Sequence, residues 1–293
     1  MRDGRPSTTA ALVAAARGLA GIDPAAAALL PPAAAAMLRL PAGPLERGAA
    51  RAFDLATGGL VRHLALRTAA IDAAVAEAVA PTSANAVAPT QLVLLGVGLD
   101  SRPWRLPGLQ ATRVFEVDHP ATAAWRRGRA DALGPPKCRE RIEVVVDFAR
   151  DDLRERLRSH GFDPGAPSVF VWEGVTMYLP PAATAESLAA IAALSARGST
   201  LCMSYMVPVP SLGAAARRAL HAAFGALGEP LLGLMPQAQA AAMLDGAGFD
   251  LLRDGSNRRW AGWVAGSNAA ALPRAPLAYR PERLAIASRR AEA

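Results

Sequence analysis

The chain of 293 residues is 52% hydrophobic and only 5% aromatic, and it carries a formal net charge of +7. Its length fits one large α/β domain or two small ones, with a full core, and its apolar content excludes a disordered or collagen-like chain. Two cysteines are too few for a disulfide framework. Alanine supplies 69 residues, and many helices are expected because alanine is the best helix former.

The basic charge consists of dispersed arginine. Of the 32 basic residues only Lys137 is lysine, and the densest arginine group lies at 126–129. A pI near 10.5 is compatible with a nucleic-acid or membrane-surface partner. However, the chain has no run of five or more basic residues. We therefore expect neither a nucleic acid nor a membrane as partner.

Cysteine and histidine are too scattered for a metal site. Cys138 and Cys202 are far apart, and the four histidines form no pair at ligand spacing. No metal is therefore expected, and the thiols are expected to be reduced in a cytoplasmic protein. The apolar run at 8–16 is interrupted by Arg17, which favours an N-terminal helix over a signal peptide. No apolar run reaches transmembrane length.

Residues 8–80 are rich in alanine and mostly helical in pattern. Leu60, Leu64, Arg67, Ile71 and Val75 recur at spacings of three and four, which predicts one long helix. A proline follows this stretch and ends it. We therefore expect a helical cap over 1–80 and a core domain over 81–293.

Short apolar runs alternate with helical stretches in the rest of the chain. The predicted helices are 120–133, 153–160 and 182–196, and an irregular helical insertion is expected at about 206–248. This alternation predicts a parallel sheet covered by helices on both faces, which binds ligands at the carboxyl ends of its strands. The predicted strands are 91–95, 112–117, 142–146, 168–172, 200–205, 249–253 and 284–288.

A glycine-rich loop follows the first predicted strand directly. Gly96 and Gly98 let the backbone approach a nucleotide closely, but Ser101 stands where a dinucleotide fingerprint needs its third glycine. The loop also lacks the Lys-Ser/Thr ending of a P-loop. These features argue against NAD, FAD and nucleoside triphosphates and favour a nucleoside without a phosphate chain. The alternative is a glycine turn that binds nothing.

Acidic residues follow the next strands. Asp118 stands 22 residues after Gly96, where a carboxylate can accept hydrogen bonds from both ribose hydroxyls. Asp147, after the third strand, is placed to accept from an adenine amine, with Phe148 packing beside the base. For each aspartate the alternative is a helix N-cap.

The motifs together resemble those of the leucine carboxyl methyltransferase family, including its bacterial polyketide O-methyltransferase-like branch. The matching segments are 94–102, 105–107, 114–120, 146–148, 151–153, 172–179, 228–230 and 246–249, with 9–19 and 67–68 in the helical lead-in. The resemblance implies a class I S-adenosylmethionine-dependent methyltransferase. The implied fold is an α/β, Rossmann-like, seven-stranded and mainly parallel sheet, with one reversed strand, helices on both faces and an N-terminal helical cap.

The same resemblance implies which residues bind the cofactor. Arg67 corresponds to the arginine that binds the methionine carboxylate, and Arg17 is a weaker match for a second cap residue. Substitution of Arg67 or Asp118 by alanine is expected to weaken cofactor binding without unfolding the protein. The implied cofactor-binding residues are Arg67, Gly96, Gly98, Asp118, Asp147, Phe148 and Glu173.

The expected activity is O-methylation of a small-molecule carboxylate or hydroxyl, of the kind found in natural-product biosynthesis. Tyr205, Tyr178, His119 and His221 are candidates for a general base, but none stands in a diagnostic context. No catalytic residue is therefore assigned, and the sequence specifies no oligomeric state. Two alternatives are a non-catalytic protein that binds S-adenosylmethionine and an NAD-type oxidoreductase.

Overall fold

A single seven-stranded sheet organises the computed structural model, which describes residues 7–39, 43–80, 90–147, 150–209, 213–226, 228–265 and 267–291. The strands lie in the order β3-β2-β1-β4-β5-β7-β6. Strands β1 to β5 are parallel, and β7 is antiparallel to both of its neighbours. The predicted mainly parallel sheet with one reversed strand is confirmed. The strands are β1 Gln91–Leu95, β2 Arg113–Asp118, β3 Glu140–Val145, β4 Ser168–Trp172, β5 Thr200–Met206, β6 Phe249–Ser256 and β7 Glu282–Arg289.

The central strands are apolar throughout because both faces of the sheet are covered. Every residue of β1 and β4 is buried. Successive side chains point to opposite faces of a strand. Val93 and Leu95 accordingly belong to one apolar cluster, whereas Leu92 and Leu94 belong to another. The two clusters are the two halves of the core.

Helices pack on each face of the sheet. The longest, α5, contributes Ile71 and Val75 to the Leu92 cluster, whereas α8 and α9 contribute Leu157 and Ile191 to the opposite one. The helices on both faces, predicted from the sequence, are confirmed. The helices are α1 Thr8–Leu19, α2 Ala26–Leu29, α3 Pro32–Met37, α4 Pro44–Ala56, α5 Leu60–Val79, α6 Arg102–Arg105, α7 Pro120–Ala130, α8 Leu153–Ser159, α9 Pro181–Leu194, α10 Ala214–Ala226, α11 Gln237–Gly246, α12 Asn257–Trp260 and α13 Ser267–Ala270.

The first helix packs on α5. Its N-cap is Ser7, whose hydroxyl accepts the backbone N–H of Ala10 at 3.1 Å. Ala16 of α1 shares an apolar cluster with Leu60 and Leu64 of α5. The division into a cap over 1–80 and a core over 81–293 stays a prediction.

The strand order reverses between β1 and β4. The chain runs from β1 outward to β2 and β3, and then returns to β4 on the other side of β1. Such a switch opens a crevice at the carboxyl ends of the strands. In the described part of the chain, no helix combines the length and the apolar character needed to cross a membrane.

Candidate functional site

A cavity of about 1040 Å³ lies at the carboxyl ends of β1, β2 and β4. Further lining residues come from α1, α5, α8, α9 and the segments at 151–152 and 173–180, and they include Phe224, Glu229, Leu231, Tyr279 and Glu282. Phe148, one of the seven predicted cofactor-binding residues, lies outside the described part of the chain. The structure brings the other six together on this cavity: Arg67, Gly96, Gly98, Asp118, Asp147 and Glu173.

The glycine loop forms one wall in a conformation that other residues rarely adopt. Gly96 and Gly98 have φ angles of 64° and 53°, which lie in the left-handed region. A Cβ atom on Gly96 would lie 2.6 Å from Cγ2 of Val175. Gly96 is therefore required both by its backbone angle and by the close approach of the segment after β4.

We expect Gly96→Ala to lower the free energy of unfolding by about 1–3 kcal/mol, because it combines backbone strain with overpacking. Urea denaturation measures the change. Adding Val175→Ala removes the clash and is expected to restore part of the loss. Gly128→Ala is the matched control, since Gly128 lies in α7 with no atom within 4 Å of an added Cβ. Equal effects at both glycines would contradict this explanation.

Asp118 links the end of β2 to the glycine loop. Its carboxylate accepts the backbone N–H groups of Gly98 at 2.5 Å and His119 at 2.7 Å. Burial raises the pKa of Asp118 to about 6, although the two N–H groups oppose that shift. Asp118 is therefore a buried acceptor that holds the loop against the strand.

A buried ion-pair network forms the floor of the cavity. Arg67 donates through Nε to Glu173 Oε1 at 2.9 Å and through Nη1 to Glu282 Oε1 at 2.6 Å. Burial lowers the pKa of Arg67, but Glu282 and then Glu173 raise it above its ordinary value overall. Arg102 approaches the second oxygen of Glu173 at 2.8 Å. Burial raises the pKa of Glu173, but Arg102 and Arg67 together keep it well below its usual range.

The network continues beneath the glycine loop. Asp100, the acid of that loop, pairs with Arg102. Arg102 Nε donates to Asp72 Oδ1 of α5 at 2.7 Å, and Arg105 pairs with the same carboxylate. The loop is therefore fixed to α5 by charge as well as by packing.

Arg17 is the least satisfied cation of the cavity. It is 4% exposed and its Nη1 lies 3.8 Å from Asp100 Oδ2. Its Nε and Nη1 atoms find no hydrogen-bond partner among the described residues. Buried polar atoms are rarely left unpaired, so the charge of this guanidinium is only partly compensated within the protein.

Asp147 lies two residues beyond the end of β3 and lines the cavity. Its backbone N–H donates to Asp151 Oδ2 at 2.8 Å, and its carboxylate lies 3.7 Å from Arg150 Nε. In the described part of the chain, no group of three or more His, Cys, Asp or Glu residues is arranged to hold a metal ion.

Of the four candidates for a general base, two line the cavity and two do not. Tyr178 and His119 line the cavity, and His119 Nδ1 caps α7 by accepting the Ala121 N–H at 3.3 Å. Tyr205 and His221 do not line it. The Tyr205 hydroxyl donates to Asp254 on β6 at 2.8 Å, and His221 is exposed on α10.

Several polar residues of the cavity were missed by sequence reasoning. Glu282 begins β7, far from any motif, and pairs with Arg67 and His63. Ser7, the N-cap of α1, and Thr9 of α1 donate hydrogen bonds through their hydroxyls to the Glu229 carboxylate. Glu229 lies in the Gly-Glu-Pro segment at 228–230. The sequence therefore indicated that Glu229 belongs to a family motif, but it did not indicate the hydrogen bonds with Ser7 and Thr9.

A sequence profile of the leucine carboxyl methyltransferase family matches residues 8–192. The chain belongs to this family. One relative, from Mycolicibacterium smegmatis, is 42% identical over 120 residues, which are 41% of this chain and 40% of that protein. Its name proposes an S-adenosyl-L-methionine-dependent methyltransferase. The match thus spans less than half the length of the curated relative.

Two crystal structures share the fold of this family member. A proposed methyltransferase from Thermobifida fusca has a TM-score of 0.57 and 18% identity, covering 98% of this chain and 96% of the other. A DUF574 family protein from Streptomyces avermitilis has a TM-score of 0.56 and 16% identity, covering 84% of this chain and 91% of the other. The predicted family, fold and bacterial relatives are confirmed, and so is S-adenosylmethionine as the cofactor of the family. The cytoplasmic location stays a prediction.

Proposed function

We propose that this leucine carboxyl methyltransferase family member transfers a methyl group from S-adenosylmethionine to an oxygen of a small molecule, as in natural-product biosynthesis. The observation that carries the proposal is the cavity, whose wall includes the glycine loop, Asp118 and a buried, incompletely paired Arg17. Ligand pockets span roughly 300–1,000 Å³, so a cavity of about 1040 Å³ has room for a nucleoside cofactor and a second molecule.

The residues of the cavity fit the functional groups of the cofactor. Asp118 is placed to accept from the ribose hydroxyls, and Gly96 and Gly98 allow close approach of the backbone. Arg67 is already engaged by two carboxylates, so we assign the methionine carboxylate jointly to Arg67 and Arg17. A bidentate arginine suits this planar anion. Asp147 and Phe148 are assigned to the adenine, and Glu173 acts by holding the arginines in place.

When bound, S-adenosylmethionine supplies an activated methyl group and its own leaving group. The task of the protein is therefore mainly to hold the acceptor oxygen in line with that methyl. Such positioning contributes on the order of 7–11 kcal/mol in favourable cases. The apolar part of the wall, which includes Leu12, Val13, Leu60, Leu64 and Met177, supports a small and mostly apolar acceptor.

The charges of the wall support a nucleoside without phosphates over a dinucleotide. Of the described side chains that line the cavity, nine are Asp or Glu and three are Arg. A pyrophosphate would be repelled by this acidic wall, whereas a sulfonium cation is favoured by it. The NAD-type oxidoreductase is therefore the weaker alternative.

Calorimetric titration with S-adenosylhomocysteine and with NAD separates these alternatives. We expect binding of S-adenosylhomocysteine and none of NAD, and the reverse result would overturn the proposal. Single-turnover assays with methyl-labelled S-adenosylmethionine against a panel of small carboxylic acids and phenols then test catalysis. Binding without transfer to any acceptor in a broad panel would favour the non-catalytic alternative.

Cofactor affinity is expected to fall with pH as Asp118 takes up a proton. With a pKa of about 6, Asp118 is mostly ionised at pH 7 and mostly protonated at pH 5. A protonated carboxyl is a poorer acceptor for ribose hydroxyls, so we expect S-adenosylhomocysteine to bind about tenfold more weakly at pH 5 than at pH 7. Calorimetry at both pH values measures this ratio. In Asp118→Asn the ratio is expected to approach one, and an undiminished pH dependence would point to another group.

A further inference from the structure

The acids on the wall of the cavity differ in how their charge is compensated. Glu186 and Glu229 line the cavity but form no ion pair with any described residue. Glu186 is exposed on α9, whereas Glu229 is partly buried. The other acids of the wall each pair with an arginine or accept backbone N–H groups: Asp100, Asp118, Asp147, Asp151, Asp152, Glu173 and Glu282. Glu229 therefore carries the least compensated of the partly buried charges.

The hydroxyls that bind Glu229 fix its position but do not neutralise it. Ser7 and Thr9 each donate to one of its two oxygens. A carboxylate offers about four acceptor positions on its two oxygens, so positions remain for a ligand. Because Glu229 is partly exposed and lines the cavity, a molecule bound there can contact it. A partly buried charge without a counter-ion is unfavourable, and a cationic group of a ligand would compensate it.

Two aromatic rings accompany this carboxylate. Tyr178 and Phe224 line the same cavity, and their ring centroids lie 6.2 Å apart. The backbone N–H of Glu229 donates to the Phe224 oxygen at 3.1 Å. Burial, and then the charge of Glu229, raises the pKa of Tyr178, whereas a hydrogen bond with Thr9 opposes this shift. The carboxylate is therefore a neighbour of both rings.

The chemistry of these three side chains suits an ammonium group. A carboxylate forms charge-assisted hydrogen bonds with ammonium protons. The face of an aromatic ring attracts a cation through the quadrupole of the ring. No cation of the protein competes for this place among the described residues, since Glu229 has no ion-pair partner there.

Glu229 also lies near the part of the cavity assigned to the cofactor. A Cβ atom on Gly98 would lie 3.3 Å from the Cβ atom of Ala10, which directly follows Thr9 in α1. Consecutive residues of α1 thus contact the glycine loop and bind Glu229. A small molecule that contacts Glu229 would therefore lie close to the cofactor.

We propose that Glu229, Tyr178 and Phe224 form an ammonium subsite, and that the methyl acceptor carries a protonated amine in addition to the oxygen that is methylated. This inference rests on the proposed function and narrows its acceptor class. A protonated amine has no lone pair with which to attack the methyl group, so it serves to position the acceptor. The apolar residues Met177 and Leu231, which also line the cavity, suit an apolar body for the same molecule.

Three phenols of similar size test the ammonium subsite by calorimetric titration of the protein saturated with S-adenosylhomocysteine. Tyramine ends in an ammonium group, 4-propylphenol in a methyl group and 3-(4-hydroxyphenyl)propionate in a carboxylate. We expect tyramine to bind about 10- to 100-fold more tightly than 4-propylphenol. The carboxylate compound is expected to bind most weakly, because like charges repel. Equal affinities, or no binding of any of the three, would overturn the proposal.

Two substitutions test the residues of the subsite. Glu229→Gln keeps the size of the side chain and still accepts from a hydroxyl, and we expect it to reduce the preference for tyramine over 4-propylphenol to about threefold or less. Phe224→Leu is expected to weaken tyramine binding by about three- to tenfold, with a smaller change for 4-propylphenol. A merely structural role of Phe224 would weaken the binding of both compounds equally.

Two other glutamates supply the controls. Glu186→Gln removes the second uncompensated acid of the cavity, and Glu46→Gln changes an exposed residue of α4 that does not line it. Both variants are expected to keep the wild-type preference for tyramine. Loss of the preference in Glu186→Gln but not in Glu229→Gln would overturn the assignment to Glu229.

The outcomes separate the inference from the proposed function. If Glu229→Gln weakened S-adenosylhomocysteine binding as much as tyramine binding, the carboxylate would hold the amine of the cofactor. That result would overturn the ammonium subsite for the acceptor and leave the proposed function standing. Absence of S-adenosylhomocysteine binding by the wild type would overturn the proposed function, and the inference would fall with it.

Discussion

Replacing Arg67 with alanine is expected to lower the free energy of unfolding by about 3–5 kcal/mol, because a buried ion pair that loses one partner leaves uncompensated charge. Arg67 is the shared partner of Glu173 and Glu282, whose side chains are 9% and 6% exposed. Its removal leaves two largely buried carboxylates with fewer partners. Urea denaturation at pH 7 measures the loss.

The matched control for this prediction is Arg154→Ala. Arg154 pairs with Asp152 at 2.7 Å, but both side chains are about half exposed. Exposed ion pairs contribute little to stability, so the midpoint of unfolding is expected to stay nearly unchanged. If Arg67→Ala were as mild as Arg154→Ala, the network would not be a stabilising element. The sequence alone predicted weakened cofactor binding without unfolding, and the two carboxylates change that expectation.

Replacing Asp118 with alanine is expected to weaken S-adenosylhomocysteine binding by about 100-fold or more. Hydrogen bonds to a charged group contribute about 1.5–3 kcal/mol each, and two ribose hydroxyls are assigned to this carboxylate. The substitution also frees the N–H of Gly98 from its acceptor, which loosens the glycine loop. Calorimetric titration measures the affinity.

Asp131→Asn serves as the control for Asp118→Ala, since Asp131 is exposed beyond the end of α7 and does not line the cavity. Its affinity is expected to equal that of the wild type. A thermal denaturation curve with a single transition verifies that Asp118→Ala is folded. A folded Asp118→Ala protein with wild-type affinity would remove Asp118 from the site.

The interior of the sheet was predictable from sequence because strands buried on both faces are continuous apolar runs. The predicted bounds of 91–95 and 168–172 agree with β1 and β4. The edge strands were predicted less well. β3 begins at Glu140, two residues before the prediction, and its residues are mostly only half-buried. β6 extends to Ser256 past a register shift between Leu251 and Arg253, where the apolar pattern stops.

Site residues could be predicted from the sequence only where they directly follow or end a strand. Gly96 and Asp118 stand at strand ends, so the sequence pattern places them on the cavity. Glu282 and His63 left no such signal, because their contact joins α5 to β7 across 219 residues. A contact between distant segments depends on how the whole chain packs, and the local periodicity of the sequence does not indicate it. The pairing of Arg67 with two acids was hidden for the same reason.

The acids that surround Arg67 bear on its assigned role. A guanidinium with two carboxylates already bound carries little net attraction for a third. Under the proposed function, we therefore assign the attraction for the methionine carboxylate mainly to Arg17, whose Nη1 lies 3.8 Å from the Asp100 carboxylate. Arg67 then serves chiefly to fix Glu173 and Glu282, which in turn fix Arg102 and His63.

The hydrogen bonds from Ser7 and Thr9 to Glu229 have a consequence for the amount of intact protein. They join segments at least 220 residues apart, so the cavity is complete only when the beginning, middle and end of the chain are assembled. A ligand that binds only the assembled chain stabilises it by mass action, by about 2.7 kcal/mol at a concentration 100 times its dissociation constant. Proteolysis of the opened chain would slow accordingly. The amount of intact protein would therefore follow the supply of its ligand.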